Sequence, residues 1–589
     1  MSEGAGQVWA RPVPQVGDTT SARTRREDPA GWAMGGSVVD ALESVVGARR
    51  DIRRFRPDPV PEELLQAVLE AGHRAPSVGH SQPWRFIVVR DPATRDRAAH
   101  LADAARLAQA EHLTEDRAAR LLDLKLEGLR EAPLGIVVAC DRRTPAMGVL
   151  GRATFPDADL WSCACAIENM WLTARAHGLG MGWVTLFDPA DLEALFGLPD
   201  GVVTLGWLCL GWPDERPPEP GLQRAGWSTK TPLAEVVLHD RWSEDGAAPS
   251  QPISHLRGPE RERLVSATDG ADELLSPPEA LGLLDRVLNR VDAVSTRPVD
   301  GGTLVLAAAD HPVAGLGVSP YAVSVTREVA EAAVVGTSMG AVAARTAGLR
   351  VVVVDAGLEG GPVVGAVDGS VSGERGDLAS ADALMSEQAD SLIERGRAIG
   401  SAAAADGLVV LGEVGVGNTT VAAALACALT GLDPADAVGL GAGADAAILE
   451  RKREVIAAAL ARTGATLTGA SSPAEHARLA LAALGGPEVA ILTGVVLGAV
   501  EAGAPVVLDG LAGSLPGLLA ARMEPAVQAH LVAGQRSREK AHAAVLRELG
   551  LEPLLTLRLR AGEGVGGCLA ASMILQGLRM RRLAARTVE

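Results

Sequence analysis

Six short apolar runs follow one another through the C-terminal half of the chain, and the segments between most of them have the composition of helices. The runs are residues 303–310, 350–357, 408–415, 488–495, 504–510 and 554–564. Strands that alternate with helices build parallel sheets. We therefore predict an α/β domain over residues 278–589, with a parallel, Rossmann-like sheet and a small helical subdomain.

Several of these runs end in an acidic residue near a glycine. The acidic residues are Asp310, Asp355, Glu413, Asp509 and Glu563. In an open parallel sheet, the ligand crevice lies outside the carboxyl ends of the strands. We therefore expect these carboxylates to line one crevice.

The N-terminal part of the chain has a different pattern of apolar runs and predicted helices. Its apolar runs are residues 84–89, 134–140, 182–187 and 203–212, and its predicted helices are residues 61–72, 96–131 and 157–178. This pattern predicts a mixed α+β domain over residues 37–242. Residues 243–277 lack a period and are rich in turn formers, so we predict a linker there. We expect residues 1–36 to be a disordered tail.

Composition narrows the classes of function. A chain of 589 residues is too long for one hydrophobic core, and its net charge of −18 argues against a nucleic-acid partner and offers no basic stripe to a membrane. None of its 6 cysteines has the spacing of a zinc site. The N-terminus lacks signal-peptide features, and the longest apolar stretch, residues 489–500, is too short to span a bilayer. We expect a cytoplasmic protein with reduced, buried thiols and no metal.

Residues 412–419, GEVGVGNT, have the spacing of a triphosphate-binding loop, but Asn418 stands where the lysine belongs. Without that cation, and with Glu413 inside the loop, the segment suits one phosphate held by backbone N–H groups at a helix N-terminus. Lys452, on a later predicted helix, could supply the missing cation. A turn without any ligand and a Lys452 that is only a surface charge remain alternatives.

Two further glycine motifs fail their structural requirements. Residues 561–567 match G-x-G-x-x-G, but a dinucleotide site needs a second strand with an acid about 20 residues on, and the sequence has no room for it. Residues 336–340, GTSMG, match G-x-S-x-G, which requires a preceding strand. The residues before this motif predict a helix, so we interpret Ser338 as a small residue at a helix contact.

Residues 48–57, ARRDIRRFRP, place five arginines around Asp51. Guanidinium groups match phosphate oxygens, so the cluster indicates a phosphate site, with a solvated basic run as the alternative. Serines occur in the loop before the strand at residues 84–89, and Thr185 points from the strand at residues 182–187. Arg224 follows in LQRAGW, residues 222–227.

Five segments, in this order, resemble the nitroreductase-like flavoprotein family and within it the 5,6-dimethylbenzimidazole synthases. They are ARRDIRRFRP, APSVGHSQPWRF, LEGLREAP, GMGWVTLFDP and QRAGW. The resemblance implies that reduced FMN is a substrate, which O2 fragments to dimethylbenzimidazole and a four-carbon sugar phosphate. It also implies cofactor contacts and catalytic residues. The implied cofactor contacts are Arg49, Arg50, Asp51, Arg53, Ser81 and Arg224, and the implied catalytic residues are Asp51 as a base and Thr185, where the family more often has serine.

Residues 280–589 resemble nicotinate-nucleotide–dimethylbenzimidazole phosphoribosyltransferases. The segments that carry this resemblance are residues 310–326, 412–420, 439–456 and 561–567. The family transfers ribose 5-phosphate from nicotinate mononucleotide to dimethylbenzimidazole. The resemblance implies Glu563 as the base that deprotonates the azole. The implied substrate contacts are Ser319, Glu413, Gly415, Gly417, Asn418, Thr419 and Lys452; Arg327 stands near a glutamine that is common in the family.

The product of the first resemblance is the acceptor of the second. We therefore interpret the chain as a bifunctional enzyme that makes α-ribazole 5′-phosphate, the precursor of the lower ligand of cobalamin. An NAD(P)H-dependent FMN nitroreductase fused to a phosphoribosyltransferase is an alternative, as is one half that acts as a non-catalytic binding module. Both families imply small-molecule substrates and a homo-oligomer.

Overall fold

The computed structural model describes residues 9–10, 20–124, 128–240, 242, 254–439 and 445–588. The chain forms two compact units. One unit comprises residues 32–248, and we call it the first unit. The second unit comprises residues 249–589 together with residues 1–31. Each unit has its own sheet and core.

The described N-terminal residues of the second unit include two short elements within the segment predicted as a tail over residues 1–36, of which residues 1–8 and 11–19 lie outside the described part. Strand β1 (Trp9–Ala10) pairs in parallel with the last strand of the chain, and helix α1 (Ala22–Glu27) follows it. Arg26 Nη2 lies 3.1 Å from Asp269 Oδ2, which ties α1 to the C-terminal part of the chain. The described residues up to 31 therefore belong to a folded unit.

The first unit is a four-stranded antiparallel sheet with helices packed against it, in the strand order β2-β3-β5-β4. Its strands are β2 (Trp84–Val89), β3 (Leu134–Asp141), β4 (Gly180–Val184) and β5 (Val202–Gly211). Its helices are α2 (Gly36–Ala48), α3 (Glu62–His73), α4 (Pro92–Glu111), α5 (Glu115–Asp123), α6 (Ala158–Ala176), α7 (Pro189–Phe196), α8 (Gly221–Arg224) and α9 (Leu233–Val236), with short 3-10 turns at Val78–His80 and Ala146–Gly148.

This sheet confirms the mixed α+β prediction, with two differences in the bounds. The helix predicted over residues 96–131 is divided into α4 and α5, because Glu115 and Asp116 begin a new helix with an acidic first turn. Strand β4 ends at Val184, so Thr185 lies just beyond it. The core of the unit includes Trp207, which is fully buried.

The second unit is built on a six-stranded parallel sheet in the order β11-β10-β9-β6-β7-β8, as the sequence predicted. Its strands are β6 (Gly302–Ala309), β7 (Arg350–Gly357), β8 (Val367–Asp368), β9 (Leu408–Val414), β10 (Val506–Leu508), β11 (Leu531–Ala533) and, outside this sheet, β12 (Thr587–Val588). Its helices are α10 (Arg261–Asp272), α11 (Leu283–Val294), α12 (Ser324–Val335), α13 (Met339–Thr346), α14 (Ser386–Ala403), α15 (Asn418–Thr430), α16 (Pro434–Ala437), α17 (Ala446–Thr468), α18 (Pro473–Leu484), α19 (Pro487–Glu501), α20 (Leu511–Met523), α21 (His542–Glu548) and α22 (Val565–Leu583), with 3-10 turns at Pro312–Leu316, Ala404–Asp406 and Pro525–His530.

Two strand predictions in this unit are wrong. Residues 488–495 belong to α19, a helix with proline at its first position that is buried on every side, so its sequence has no polar face to reveal a helical period. Residues 554–564 form a loop in which Leu555 makes an isolated β-bridge to Gln535. Arg558 in this loop has a φ of 59°, and that conformation interrupts an extended strand. The predicted linker also contains α10.

Helices α14 and α19 pack so closely that glycines are required where they cross. A Cβ at Gly494 would lie 2.8 Å from Arg397 N, and one at Gly400 would lie 2.7 Å from Val495 Cα. Small residues therefore allow the backbones of the two helices to approach closely. The low aromatic content of the chain, 3%, is consistent with such packing.

The described residues also bear on the predictions about thiols and membranes. All 6 cysteines are free, and five are buried; Cys165 is exposed, which corrects the prediction that every thiol is buried. Among the residues that the structure describes, none is part of a His, Cys, Asp and Glu cluster suited to a metal ion. The described helices include none with the length and apolarity that crossing a membrane requires.

Candidate active sites

A cavity of about 300 Å³ opens at the carboxyl ends of β9 and β10 in the second unit. The structure brings together there all eight residues for which the second resemblance implies a substrate contact or the catalytic base. These residues are Ser319, Glu413, Gly415, Gly417, Asn418, Thr419, Lys452 and Glu563. Apolar side chains complete one wall; among them are Val318, Val325, Val329 and Leu559. The cavity therefore has a polar end and an apolar side that can receive an aromatic ring.

The glycine loop between β9 and α15 forms the polar end of the cavity. Gly417 has a φ of 96°, and a Cβ on Gly415 would lie 2.7 Å from the Ala309 carbonyl oxygen, so both positions require glycine. Lys452 Nζ donates a hydrogen bond of 2.9 Å to Thr419 Oγ1 at the start of α15. Lys452 is only 4% exposed, which excludes the alternative of a surface charge.

Burial lowers the pKa of Lys452, while Glu539 opposes that shift. The lysine thus stands beside the first turn of α15, where backbone N–H groups have no acceptor inside the helix. An ammonium group and a hydroxyl at the start of a helix can together bind a single phosphate.

Three of the five carboxylates predicted at the strand ends line this cavity, namely Glu413, Asp509 and Glu563. Asp310 and Asp355 do not, which corrects the expectation that all five share one crevice. Asp310 Oδ2 accepts a hydrogen bond of 2.8 Å from Glu359 N, and Asp355 accepts three from backbone amides at the end of β7 and in the loop that follows it. These two carboxylates hold loops in place.

The pKa values of Glu413 and Asp509 are both raised, and the charge of Asp509 contributes to the shift at Glu413. Burial raises the pKa of Glu413 well above its ordinary value, and the charges of Asp509 and Glu488 raise it further, while Asn418 opposes this by donating a hydrogen bond to Glu413 Oε2. Burial also raises the pKa of Asp509 to about 6, although Gln535 Nε2 and Gly567 N each donate to its Oδ1. Burial therefore favours the protonated form of both carboxyl groups, and the charge of Asp509 strengthens this effect at Glu413.

Glu563 lies in a tight turn at the edge of the cavity. Its φ is 55°, and the glycines on both sides, Gly562 and Gly564, have φ of 66° and 76°. A left-handed conformation costs a residue other than glycine about 1 kcal/mol or more, and such residues cluster at functional sites. Glu563 Oε2 accepts a hydrogen bond of 2.9 Å from Gly340 N.

Sequence reasoning missed several residues of this cavity. Asp509 was recognised as an acid at a strand end but was given no role, and Gln535, Ser537, Arg538 and Arg560 also line the cavity. Gln535 and Ser537 follow β11, a strand that sequence reasoning did not predict. Arg560 lies three residues before Glu563 in the sequence, and this proximity could have indicated that Arg560 lines the same cavity. Arg327 is not among the lining residues, since its Nη2 donates to the Glu359 carbonyl oxygen at 2.7 Å.

A cavity of about 810 Å³ in the first unit is lined by the arginine cluster. It brings together five of the residues predicted there: Arg49, Arg50, Asp51, Arg53 and Arg224. Ser81 and Thr185 are not among its lining residues; both are exposed, Ser81 after a 3-10 turn and Thr185 after β4.

Asp51 and Glu215 are the acidic residues among those that line this cavity, and Asp51 is the one that the sequence singled out. It forms an ion pair with Arg53 Nη2 and accepts a hydrogen bond of 3.2 Å from Trp183 N. Desolvation raises the pKa of Asp51 above its ordinary value, although Arg53 lowers it. A carboxylate held between an arginine and a backbone amide can move a proton at a fixed position.

The arginines of this cavity fit an anionic group. Arg50 donates to the carbonyl oxygens of Gly47, Arg49 and Pro218, which fixes its guanidinium without neutralising it. Among the described residues, buried Arg50 Nε and Arg53 Nη1 have no hydrogen-bond acceptor. Two unpartnered donors beside further guanidinium groups suit the binding of an anion.

Comparisons with known proteins assign each unit to a class. Residues 46–212 match the Nitroreductase family, and residues 257–588 match the family described as Phosphoribosyltransferase. A 5,6-dimethylbenzimidazole synthase of Rhodospirillum rubrum is 45% identical over 200 residues, which cover 33% of this chain and 93% of that protein.

The second unit also has relatives that it matches over most of their length. A nicotinate-nucleotide–dimethylbenzimidazole phosphoribosyltransferase of Thermus thermophilus is 39% identical over 320 residues, which cover 53% of this chain and 93% of that protein. The crystal structure of CobT from Thermus thermophilus superposes with a TM-score of 0.51 and 37% identity, covering 55% of this chain and 97% of that one. The chain thus belongs to the nicotinate-nucleotide–dimethylbenzimidazole phosphoribosyltransferase family through its second unit and to the 5,6-dimethylbenzimidazole synthase family through its first.

Proposed function

We propose that the second unit transfers ribose 5-phosphate from nicotinate mononucleotide to dimethylbenzimidazole and releases nicotinate. The single observation that supports this most strongly is the presence of a phosphate-binding end and the Glu563 carboxylate in one cavity of about 300 Å³. The phosphate would lie against Lys452 and the first turn of α15, and the acceptor base against the apolar wall near Ser319.

In this reaction, Glu563 takes the N–H proton of the azole while the other ring nitrogen attacks C1′ of the ribose. The bond between C1′ and the nicotinate nitrogen breaks, and its electron pair stays on that nitrogen. The positive charge that develops on the ribose carbon is stabilised by ionised Asp509, whose pKa of about 6 leaves it charged at neutral pH. Glu413 also lines the cavity and can form a hydrogen bond with a ribose hydroxyl.

We propose that the first unit consumes reduced FMN and O2 and produces dimethylbenzimidazole. Reduced FMN, including one carbon of its ribityl chain, would supply the carbon skeleton and the electrons for this fragmentation. Arg49, Arg50, Arg53 and Arg224 hold the phosphate end, and Asp51 accepts or delivers a proton near the ring. Ser81 and Thr185 are proposed to contact the flavin from outside the arginine cavity.

A second candidate for the first unit is an NAD(P)H-dependent nitroreductase, which the Nitroreductase family match over residues 46–212 also favours. A third is that one unit only binds ligand without catalysis. Anaerobic mixing with NADPH separates these candidates, because a nitroreductase would oxidise NADPH through bound FMN. A synthase would instead accept free reduced FMN and then require only O2.

Together the two reactions convert reduced FMN, O2 and nicotinate mononucleotide to α-ribazole 5′-phosphate. The test is an aerobic incubation of the whole chain with reduced FMN and nicotinate mononucleotide, with the product identified by mass. Formation of α-ribazole 5′-phosphate supports both activities. Dimethylbenzimidazole without the nucleotide product contradicts the transferase proposal, and absence of dimethylbenzimidazole contradicts the synthase proposal.

We further propose that the chain works in the cytoplasm as a homo-oligomer. Six free cysteines are typical of a reducing compartment. Helix α2 carries exposed apolar side chains along one face, Val38, Val39, Leu42 and Val46, which a second copy of the chain would cover. Light scattering of Leu42→Glu against the wild-type chain tests this proposal, and equal masses for the two would contradict it.

A further inference from the structure

The GTSMG segment, residues 336–340, has no part in the chemistry above, yet its last residue contacts the Glu563 carboxylate. Gly340 N donates a hydrogen bond of 2.9 Å to Glu563 Oε2. Gly340 is the second residue of α13, where the first N–H groups of the helix lack an acceptor within it. Ser338 Oγ accepts from Ala341 N at 3.3 Å, so the next amide has its own acceptor. The Gly340 amide is thus left for Glu563.

The backbones of the two residues also fit closely. A Cβ at position 340 would lie 2.7 Å from Glu563 Cβ and would overlap the Glu563 carbonyl oxygen. On the other side, Glu563 N donates to the Glu413 carbonyl oxygen at 3.2 Å, and a Cβ on Gly412 would lie 2.8 Å from the Glu563 carbonyl oxygen. Residue 563 is therefore held between the start of α13 and the end of β9.

From this geometry we propose that Gly340 is a positioning residue for the base. Its N–H holds Oε2 of Glu563 and leaves Oε1 as the oxygen that receives the azole proton. A carboxylate fixed at one oxygen keeps one orientation, whereas an unsupported glutamate samples several rotamers. The inference rests on the proposed role of Glu563, so its test includes a variant of that residue.

The first experiment measures nicotinate release from nicotinate mononucleotide with dimethylbenzimidazole as acceptor, in the full chain. We expect Gly340→Ala to lower kcat about 100-fold, since a displacement of the base by 1 Å has an effect of that order. The KM for nicotinate mononucleotide should change less than about threefold, because the Lys452 end of the cavity is untouched. Gly464→Ala on α17 is the matched control with wild-type kinetics, since a Cβ there meets nothing within 4 Å.

A double variant separates positioning from a general effect on the fold. Gly340→Ala combined with Glu563→Gln should be no slower than Glu563→Gln alone, because a base that is already absent cannot be displaced. If Gly340→Ala slows Glu563→Gln by the same factor as it slows the wild type, the effect does not pass through Glu563 and the inference is overturned.

Ser338 provides a second measurement that does not depend on the folding of Gly340→Ala. Ser338→Ala removes the acceptor of the Ala341 amide and loosens the first turn of α13, so kcat should fall about fivefold at unchanged KM. Ser338→Thr keeps the hydroxyl and should restore kcat. Wild-type kcat in Ser338→Ala and in folded Gly340→Ala, with Glu563→Gln still slow, would overturn the inference alone. Wild-type kcat in Glu563→Gln would instead contradict the proposed base.

Discussion

Lys452 Nζ and Thr419 Oγ1 lie 2.9 Å apart, although 33 residues separate them in the sequence. The cation that the glycine loop lacks at Asn418 is therefore delivered from another helix, α17. Its ammonium group approaches from the side of the first turn of α15. This contact places an ammonium group at the proposed phosphate end of the cavity, from which the expected effect of substituting Lys452 follows.

Lys452→Met should raise the KM for nicotinate mononucleotide by about 10- to 100-fold, which corresponds to the loss of one hydrogen bond to a charged group. The methionine keeps most of the apolar stem, so the fold should be preserved. Steady-state kinetics with saturating dimethylbenzimidazole measure the effect. Arg451→Met, on the same helix with a side chain 58% exposed, is the matched control. A KM equal to that of the wild type in Lys452→Met would show that the phosphate binds elsewhere.

Glu563→Gln should lower the rate of phosphoribosyl transfer at least about 100-fold, which is the lower range for removal of a general base. Dimethylbenzimidazole made from reduced FMN should then accumulate, because the first unit is unaffected. Liquid chromatography with mass detection follows both compounds. Glu454→Gln, with a side chain 60% exposed on α17, controls for the change in charge. Transfer at the wild-type rate in Glu563→Gln would refute the assignment.

Asp51→Asn should abolish formation of dimethylbenzimidazole while reduced FMN still binds, because the arginines that hold its phosphate remain. Loss of the carboxylate removes the group that moves a proton near the ring. The readouts are dimethylbenzimidazole by mass and flavin binding by anaerobic fluorescence. Asp96→Asn, at a side chain 69% exposed, is the control. Continued synthesis in Asp51→Asn would favour a different base.

Asp509 makes the stability of the second unit depend on pH in a defined direction. Its pKa is raised in the folded state to about 6, from an ordinary 3.8, so the folded chain binds the proton more tightly than the unfolded chain. Its contribution is fully present below about pH 4 and is lost as the pH rises through about 6. The full shift corresponds to about 3 kcal/mol.

The measurement is the free energy of unfolding of wild type and Asp509→Asn at pH 4.5 and at pH 7.5. Relative to the variant, the wild type should lose about 2 kcal/mol between these two pH values, because part of the full shift has already been lost at pH 4.5. The substituted asparagine has a side chain of similar shape without a titrating group. A difference that stays constant, or that grows in favour of the wild type as the pH rises, would contradict the raised pKa.

The parallel sheet and the glycine loop could be predicted because their signals are local. The strand at residues 408–414 and the glycines after it stand next to each other in the sequence, and the spacing alone indicates a turn into a helix. The apolar run at residues 488–495 could not be assigned in the same way. Helix α19 is buried all round, and a buried helix and a buried strand have the same composition.

The direction of each acidic side chain could not be predicted either. Asp355 and Asp509 both follow parallel strands, but Asp355 accepts hydrogen bonds from its own loop, and Asp509 accepts them from Gln535 and Gly567. Which acid faces the cavity depends on the free N–H groups that tertiary folding brings near it. The contact between Gly340 and Glu563, across 223 residues, is of the same kind.

Strand β1 and helix α1 precede the first unit in the sequence but belong to the second unit. The stretch between residues 243 and 253 is therefore not the only connection between the units, because the chain also passes from one to the other after residue 31. A protease that cut there should release no free synthase, since the described residues near the start of the N-terminal fragment, 9–10 and 20–31, belong to the same compact unit as the transferase. The nicked enzyme should elute as one species in native chromatography. If the gene were split at this junction, we expect the two fragments to behave as a complementation pair that must associate, and not as two independent proteins.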